Sequence, residues 1–276
     1  MANRVAYFGP AGTFTEAAAL SYDSEAALLP FPSISAVFSA VESQLADEGV
    51  VPIENSLEGS VTETLDILIH ESTLTIYREL AIPIDHCLII APGRSLRDIA
   101  VIYSHPQAIG QCRRYIEKKF PGVQVMAALS TASAVQDMMR NEIPAAAIST
   151  ARAADIYGAM VAEKGIQDNT ANLTRFIILS RRDSNRTGRD KTSICFSFRD
   201  DEPGMLYSVM GEFALRNINL AKVESRPNKE VLGRYIFLVD IDGHKEDQGV
   251  MEALAALSHK ASMMKILGSY PRYSNK

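Results

Sequence analysis

Five short stretches of the chain gather hydroxyls, amides and charges, four where an apolar run gives way to a helical pattern and one immediately before an apolar run. Asn172-Leu173-Thr174-Arg175-Phe176 sets an amide, a hydroxyl and a guanidinium before the apolar run Phe176–Leu179. An arginine there suits bidentate carboxylate binding or, equally, an ion pair between two lobes. In Val51-Pro52-Ile53-Glu54-Asn55-Ser56, Asn55 and Ser56 can donate to a carboxylate. Glu54 reads either as a site carboxylate or as the partner of a buried donor, because an unpaired buried charge is costly. Ser104-His105-Pro106-Gln107 and Ser130-Thr131-Ala132-Ser133 put further polar groups at helix starts. Capping alone also accounts for Ser104, Ser130 and Thr131, and His105 reads equally as a half-exposed helix-entry residue. Gly9-Pro10-Ala11-Gly12-Thr13-Phe14-Thr15-Glu16 offers Thr13 and Glu16 as a capping box. It has neither the G-x-G-x-x-G spacing nor the G-K-[ST] ending of nucleotide loops, so no nucleotide cofactor is supported.

The elements that position these groups follow from apolar periodicity. Val5–Phe8, Val50–Ile53, Ile99–Tyr103, Ala145–Ile148 and Phe176–Leu179 read as strands, with helix starts at Thr13/Glu16, Ser60/Glu63, Pro106 and Ser130/Thr131 between them. The alternation predicts a mostly parallel, helix-covered sheet. Turns of this kind lie at the carboxyl edge of an open sheet and present free N–H groups, so they can converge on an anion. Leu74–Ile84 reads as a crossover strand and residues 163–172 as the return, giving two lobes with a cleft. Beyond the basic run 181–191, read as a solvated linker, the order becomes strand 192–198, helix 203–216, strand 218–225, strand 233–241, helix 246–258 and strand 262–267. That βαββαβ order is the ferredoxin-like plan, which says nothing by itself about function.

A length of 276 residues with 47% apolar content exceeds one typical domain. A net charge of -5 and a pI near 5.6 count against a nucleic-acid surface and favour small metabolites. No apolar run reaches the ~20 residues needed to cross a bilayer, and Met1–Val5 leads directly into a strand without a signal-peptide pattern, so a cytoplasmic protein is expected. Cys87, Cys112 and Cys195 match no metal-ligand spacing and read as buried reduced thiols.

Taken in order, GPAGTFT, VPIENSLEGSV, HPQA, STASA and NLTRF over residues 1–180 resemble the prephenate dehydratase family, and the C-terminal part resembles an ACT domain. The fold class expected is therefore α/β: a two-lobed, periplasmic-binding-protein-like catalytic region (1–180; lobe 1 being 1–78 and 166–180, lobe 2 being 79–165), a linker (181–191) and an α+β ferredoxin-like ACT domain (192–276). The resemblance implies decarboxylating dehydration of prephenate to phenylpyruvate, with Thr174 acting on the departing hydroxyl. Phe176 is expected to supply a less polar setting for the ring carboxylate. Asn55, Ser56, Gln107, Thr131 and Arg175 are expected to fix the substrate, with Glu54, Ser104, Ser130 and Thr13 completing the site. Neither metal nor cofactor is expected, because aromatisation supplies the driving force.

Glu224-Ser225-Arg226-Pro227 matches the family's ESRP element for binding phenylalanine. Its second regulatory element, Gly-Ala-Leu-Val, stands here as Gly204-Met205-Leu206-Tyr207, two of four positions differing. The resemblance places the effector between ACT domains of different subunits, near Asn219 and Leu220, which requires a homodimer or homotetramer. No chorismate mutase region is visible in the sequence, so a monofunctional enzyme is expected. Two rivals stand beside this reading: a non-enzymatic two-lobed solute-binding protein fused to a sensor, and an arogenate dehydratase.

Overall fold

The computed structural model describes residues 2–199, 202–229 and 233–274; Lys276, the end of the expected ACT region, lies outside them. The chain divides into two compact units, Met1–Thr62 with Leu80–Phe176, and Glu63–Glu79 with Ile177–Lys276.

The chain opens with β1 (Arg4–Phe8), α1 (Phe14–Tyr22), β2 (Ala27–Phe31), α2 (Ile34–Glu42) and β3 (Glu48–Asn55). The Thr13 hydroxyl accepts from Glu16 N to start α1, and Ser33 caps α2 in the same way. A two-residue strand, β4 (Gly59–Ser60), folds back on β3 and precedes α3 (Thr62–Asp66), a π-helical turn (Ile67–Glu71) and β5 (Thr75–Pro83). The expected cap at Ser60 is corrected by this hairpin: Ser60 pairs with Glu54 and the helix begins two residues later.

The next stretch comprises β6 (Cys87–Ile90), β7 (Val101–Ser104), α4 (Pro106–Gln111), α5 (Arg113–Lys119), β8 (Gln124–Ala127), α6 (Thr131–Arg140), β9 (Ala145–Ser149), α7 (Ala151–Tyr157) and β10 (Met160–Lys164), after which β11 (Leu173–Ser180) returns. The strand expected at Ile99 begins only at Val101, because a 3-10 turn, Leu96–Asp98, uses the preceding residues. The strands form one sheet in the order β2-β1-β3-β11-β5, with β4 on β3, and a second in the order β10-β6-β9-β7-β8. In the second sheet β7 runs parallel to β8 and β9, whereas β6 runs antiparallel to both β9 and β10. The expected mostly parallel arrangement is thus corrected to a mixed one there. Ala and Val side chains of α6, among them Ala132, Ala134 and Val135, bury against Ile89, Val101 and Ala147, while Ala108, Cys112 and Ile116 cover the other face.

Helix α1 meets α7 within the first unit. A Cβ added at Gly12 would lie 3.0 Å from Ala153 Cα, and Thr150 Oγ1 donates to Gly12 O at 2.6 Å. Gly12 has φ +87°, a conformation that side chains resist, so glycine serves both the turn and the close approach.

The second unit carries β12 (Asp190–Ser197), α8 (Met205–Ala214), β13 (Leu220–Pro227), β14 (Tyr235–Asp242), α9 (Gln248–Lys260) and β15 (Met263–Pro271). The sheet order is β13-β14-β12-β15, antiparallel throughout, with both helices packed on one hydrophobic core. The basic run expected to be solvated ends earlier than 191: Asp190 and Lys191 are buried in β12, where Lys191 Nζ donates to both oxygens of Glu79 at 2.9 Å. All three cysteines are buried and free, and burial pushes the Cys112 thiol up to about 12. Among the described residues no helix is long and apolar enough to cross a membrane.

Candidate active site

Within the first unit a cavity of about 280 Å3 is lined from several strand-to-helix turns, close to the lower end of small-molecule sites at ~300 Å3. The end of β3 contributes Asn55, the first turn of α4 contributes Gln107, the first residue of α6 is Thr131, and β11 contributes Thr174 and Phe176. Five residues named from the sequence thus share one cavity. Phe14, His86, His105 and Gln111 line it as well.

Thr174 lines the cavity and is only 9% exposed. Asn55 Nδ2 donates to Thr174 Oγ1 at 2.9 Å and to Asn172 Oδ1 at 2.7 Å. Asn55 Oδ1 accepts from the backbone N–H groups of Leu57 and Glu58, so the amide's orientation is fixed from the main chain. Both hydrogens of its NH2 group are therefore directed at protein acceptors. The Thr174 hydroxyl accepts from Asn55 and donates to no group among the described residues.

The polar chain continues: Asn172 Nδ2 donates to Gln111 Oε1 at 2.9 Å, and Gln111 Nε2 donates to Glu58 Oε1 at 3.2 Å. His86 Nε2 lies 2.9 Å from the same Gln111 oxygen, and Phe14 meets the imidazole edge-on at 5.5 Å. Burial lowers the His86 pKa and outweighs the opposing effects of Gln111 and Asp85. The His86 ring is consequently neutral near pH 7.

The other expected residues do not line the cavity. Arg175 pairs with Glu54 at 3.0 Å between β11 and β3. Ser56 Oγ accepts from Leu173 N at 3.0 Å and donates to Ala171 O at 3.2 Å. Ser104 is fully buried and its hydroxyl donates to Ile148 O at 2.7 Å, tying β7 to β9. The cap of α4 is instead His105, whose Nδ1 accepts from Gln107 N at 3.3 Å and whose pKa is lowered by burial against the pull of Glu58. Ser130 and Ser133 form a reciprocal capping box at α6, and Thr13 Oγ1 donates to Pro10 O at 3.0 Å while capping α1. Sequence reasoning missed His86 and Gln111. Neither follows a capping pattern, and His86 stands between Asp85 and Cys87 with no signal that marks it for a site.

A wider cavity of about 620 Å3 shares Phe14 but holds none of the residues named for the site from the sequence. Its Arg152 is taken by Glu16 at 2.7 Å and its Asp85 by Gln167 at 2.9 Å, so the smaller cavity is the candidate active site.

In the second unit, Gly204, with φ +87°, is the N-cap of α8, which begins Met205-Leu206. Asn219 Nδ2 donates to Asp242 Oδ2 at 3.2 Å beside Leu220, the first residue of β13. Along β13, Glu224 pairs with Lys222 at 3.1 Å, Ser225 stands opposite Phe237, Arg226 pairs with Asp66 at 2.9 Å, and Pro227 closes the strand opposite Tyr235.

The class is that of a two-lobed α/β region whose turns line a small cavity with polar groups set in a mostly apolar wall, with a ferredoxin-like βαββαβ module on the same chain. The chain belongs to the prephenate dehydratase family, whose profile matches residues 5–184, and an ACT domain profile matches residues 195–259. It is 43% identical over 270 residues to a bifunctional chorismate mutase/prephenate dehydratase of Aquifex aeolicus, covering 98% of this chain and 74% of that protein. Among solved structures, prephenate dehydratase of Arthrobacter aurescens in complex with L-Phe superposes with a TM-score of 0.90 at 37% identity, covering 98% of this chain and 90% of the other. GqqA, described as a novel type of quorum quenching acylase, superposes with a TM-score of 0.88 at 29% identity, covering 98% of each chain.

Proposed function

We propose that the chain converts prephenate to phenylpyruvate, CO2 and water in the 280 Å3 cavity, without metal or cofactor. The observation that carries this reading is the state of Thr174: its oxygen accepts from Asn55 and its proton has no acceptor among the described residues, which leaves that proton for a ligand. Prephenate becomes aromatic when carboxylate and hydroxyl leave together, so the protein needs to hold two carboxylates and ease the departure of hydroxide. A hydroxyl donor aimed at the leaving oxygen in a water-poor site is worth roughly 3–4 kcal/mol, or ~10²–10³ in rate. Phe176, 2% exposed, gives the ring carboxylate a less polar wall, which favours the transition state in which that charge disappears. The side chains of Gln107 and Thr131, at the starts of α4 and α6, are the donors for the remaining carboxylate. Ser56 and the Glu54–Arg175 pair act by holding β3 to β11 beneath them.

The test is to incubate purified protein with prephenate and follow phenylpyruvate by its ultraviolet absorbance, with Thr174→Val alongside. Near-normal turnover by a folded Thr174→Val protein overturns the assignment, and binding without product favours the solute-binding rival. Amide hydrolysis, the acylase chemistry, needs an activated nucleophile. His86 is engaged by Gln111 and His105 by a backbone N–H, so no lining hydroxyl meets a histidine base among the described residues. Specificity constants for prephenate and arogenate, measured under equal conditions, decide between those two substrates.

The regulatory reading is that L-phenylalanine binds the ACT domain between subunits of a cytoplasmic homodimer or homotetramer and feeds back on turnover. The exposed apolar side chains Tyr207, Val223 and Tyr235 support association of such domains. Buried Arg226 Nη1 has no partner among the described residues, which suits an added carboxylate. The domain boundaries that go with this reading are 1–180 for catalysis, 181–191 for the linker and 192–276 for regulation.

A further inference from the structure

We propose that His86 is a positioning residue for the dehydration: as the Nε2–H tautomer it holds Gln111, and through Asn172 it reinforces the Asn55 orientation set by the Leu57 and Glu58 N–H groups, on which the direction of the Thr174 hydroxyl depends. The proposal rests on the reading of Thr174 given above.

Every link in the chain has a defined polarity. Ionised, the Glu58 carboxylate only accepts, so the Gln111 NH2 group faces it at 3.2 Å and Gln111 Oε1 faces the other way. That oxygen takes Asn172 Nδ2 at 2.9 Å, which turns Asn172 Oδ1 toward Asn55 Nδ2 at 2.7 Å. The second Asn55 hydrogen falls on Thr174 Oγ1 at 2.9 Å, with Leu173 O a longer acceptor at 3.3 Å. The Thr174 proton has then no protein acceptor among the described residues.

His86 closes the chain at its far end. Its Nε2 lies 2.9 Å from Gln111 Oε1, which can only accept, so the imidazole must carry its proton on Nε2. Nδ1 is left as a lone pair, and it is buried without a hydrogen-bond partner among the described residues. A buried polar atom without a partner is tolerated where the rest of the group does something the fold requires. Here the ring is held by Phe14 at its edge and by its own backbone N–H, which donates to Gln167 Oε1 at 2.9 Å. Those contacts orient the ring; only the Nε2–H bond reaches the relay. His86, Gln111 and Thr174 all line the same cavity, so both ends of the relay face it.

Two measurements test this. In protein carrying 15N-labelled histidine, the His86 ring is expected to show its proton on Nε2, and a proton on Nδ1 at neutral pH overturns the proposal without reference to activity. In steady-state assays, His86→Leu is expected to lower kcat ~10-fold, the rate equivalent of losing one buried hydrogen bond, while KM changes less than ~3-fold. His86→Gln, which keeps an N–H donor near the Nε2 position, is expected to recover most of that loss. Equal kinetics for the two variants, whether both impaired or both normal, overturn the proposal. If His86→Leu does not fold, Gln111→Met replaces it, with the same expected split between kcat and KM. Thr174→Val separates the two levels: if it keeps turnover, the underlying reading falls, whereas if it is inactive and His86→Leu is normal, only the relay falls.

Discussion

Arg226 Nη2 donates to Asp66 Oδ1 at 2.9 Å, anchoring the arginine of the expected effector element to the residue that opens the π-helical turn Ile67–Glu71. Lys229 Nζ reaches the other Asp66 oxygen at 2.5 Å, and Lys265 Nζ donates to the carbonyls of Leu68 and Ser72 at 2.6 and 2.7 Å. Carbonyls at the end of a helical turn lack intrahelical partners, so a lysine there satisfies them and complements their negative charge. Asp66→Ala leaves the Arg226 guanidinium, 12% exposed, without its carboxylate. The expected cost is ~1–3 kcal/mol in urea unfolding, together with a weaker response of turnover to phenylalanine. An unchanged unfolding midpoint removes the anchoring role.

Gly12→Ala is expected to destabilise the catalytic unit by roughly 1–3 kcal/mol and to lower kcat. The new methyl meets Ala153 backbone and side chain at 3.0 Å, and φ +87° strains any residue with a Cβ. Thermal unfolding and prephenate turnover read the two effects. A variant matching the parent in both shows that the contact between α1 and α7 yields without cost.

These groups were unequally legible in the sequence. Thr13, Ser130 and Pro106 announced their helices because caps act within three or four residues, and the βαββαβ order of the second unit followed from local periodicity. The cap at Ser60 misled because pairing of β4 with β3 competes for the same residues. His105 rather than Ser104 caps α4, since Ser104 bonds to Ile148, 44 residues away. Asn172 and Gln111 are 61 positions apart, as are His86 and Gln111 by 25, so their meeting is a consequence of how two sheets come together rather than of any local pattern. Lys191 looked like part of a solvated basic run, and only the fold reveals the carboxylate that buries it.

That carboxylate makes a sharp prediction. Lys191 and Glu79 are each 8% exposed, and Lys191 Nζ donates to both Glu79 oxygens at 2.9 Å. Lys191→Met removes the cation that pairs with the buried Glu79 carboxylate and lies 4.0 Å from Asp240, with an expected loss of ~3–5 kcal/mol. Replacing both residues with Met removes the charge along with its partner, and much of the stability is expected to return. Chemical unfolding of the two single variants and the double variant checks this. Additive losses contradict a coupled pair.

Glu16 supplies the pH dependence. Burial alone lifts its carboxyl, but the Arg152 guanidinium and the Gly12 N–H, at 2.7 Å each, outweigh that and hold its pKa below the ordinary carboxylate range. A group whose pKa is depressed by folding stabilises the native state fully above its unfolded value, ~4.3 for glutamate, and loses that contribution as pH falls through the folded value. Arg152 is 46% exposed, so water and salt screen the pair, and ~1–2 kcal/mol is the expected size. Glu16→Gln is therefore expected to be less stable than the parent by that amount at pH 7 and above. The gap should hold down to about pH 5 and close as the pH is lowered further, because both proteins then carry a neutral side chain at this position. Urea midpoints measured from pH 3 to pH 8 trace the difference, and a gap independent of pH shows that the loss comes from packing rather than from the charge.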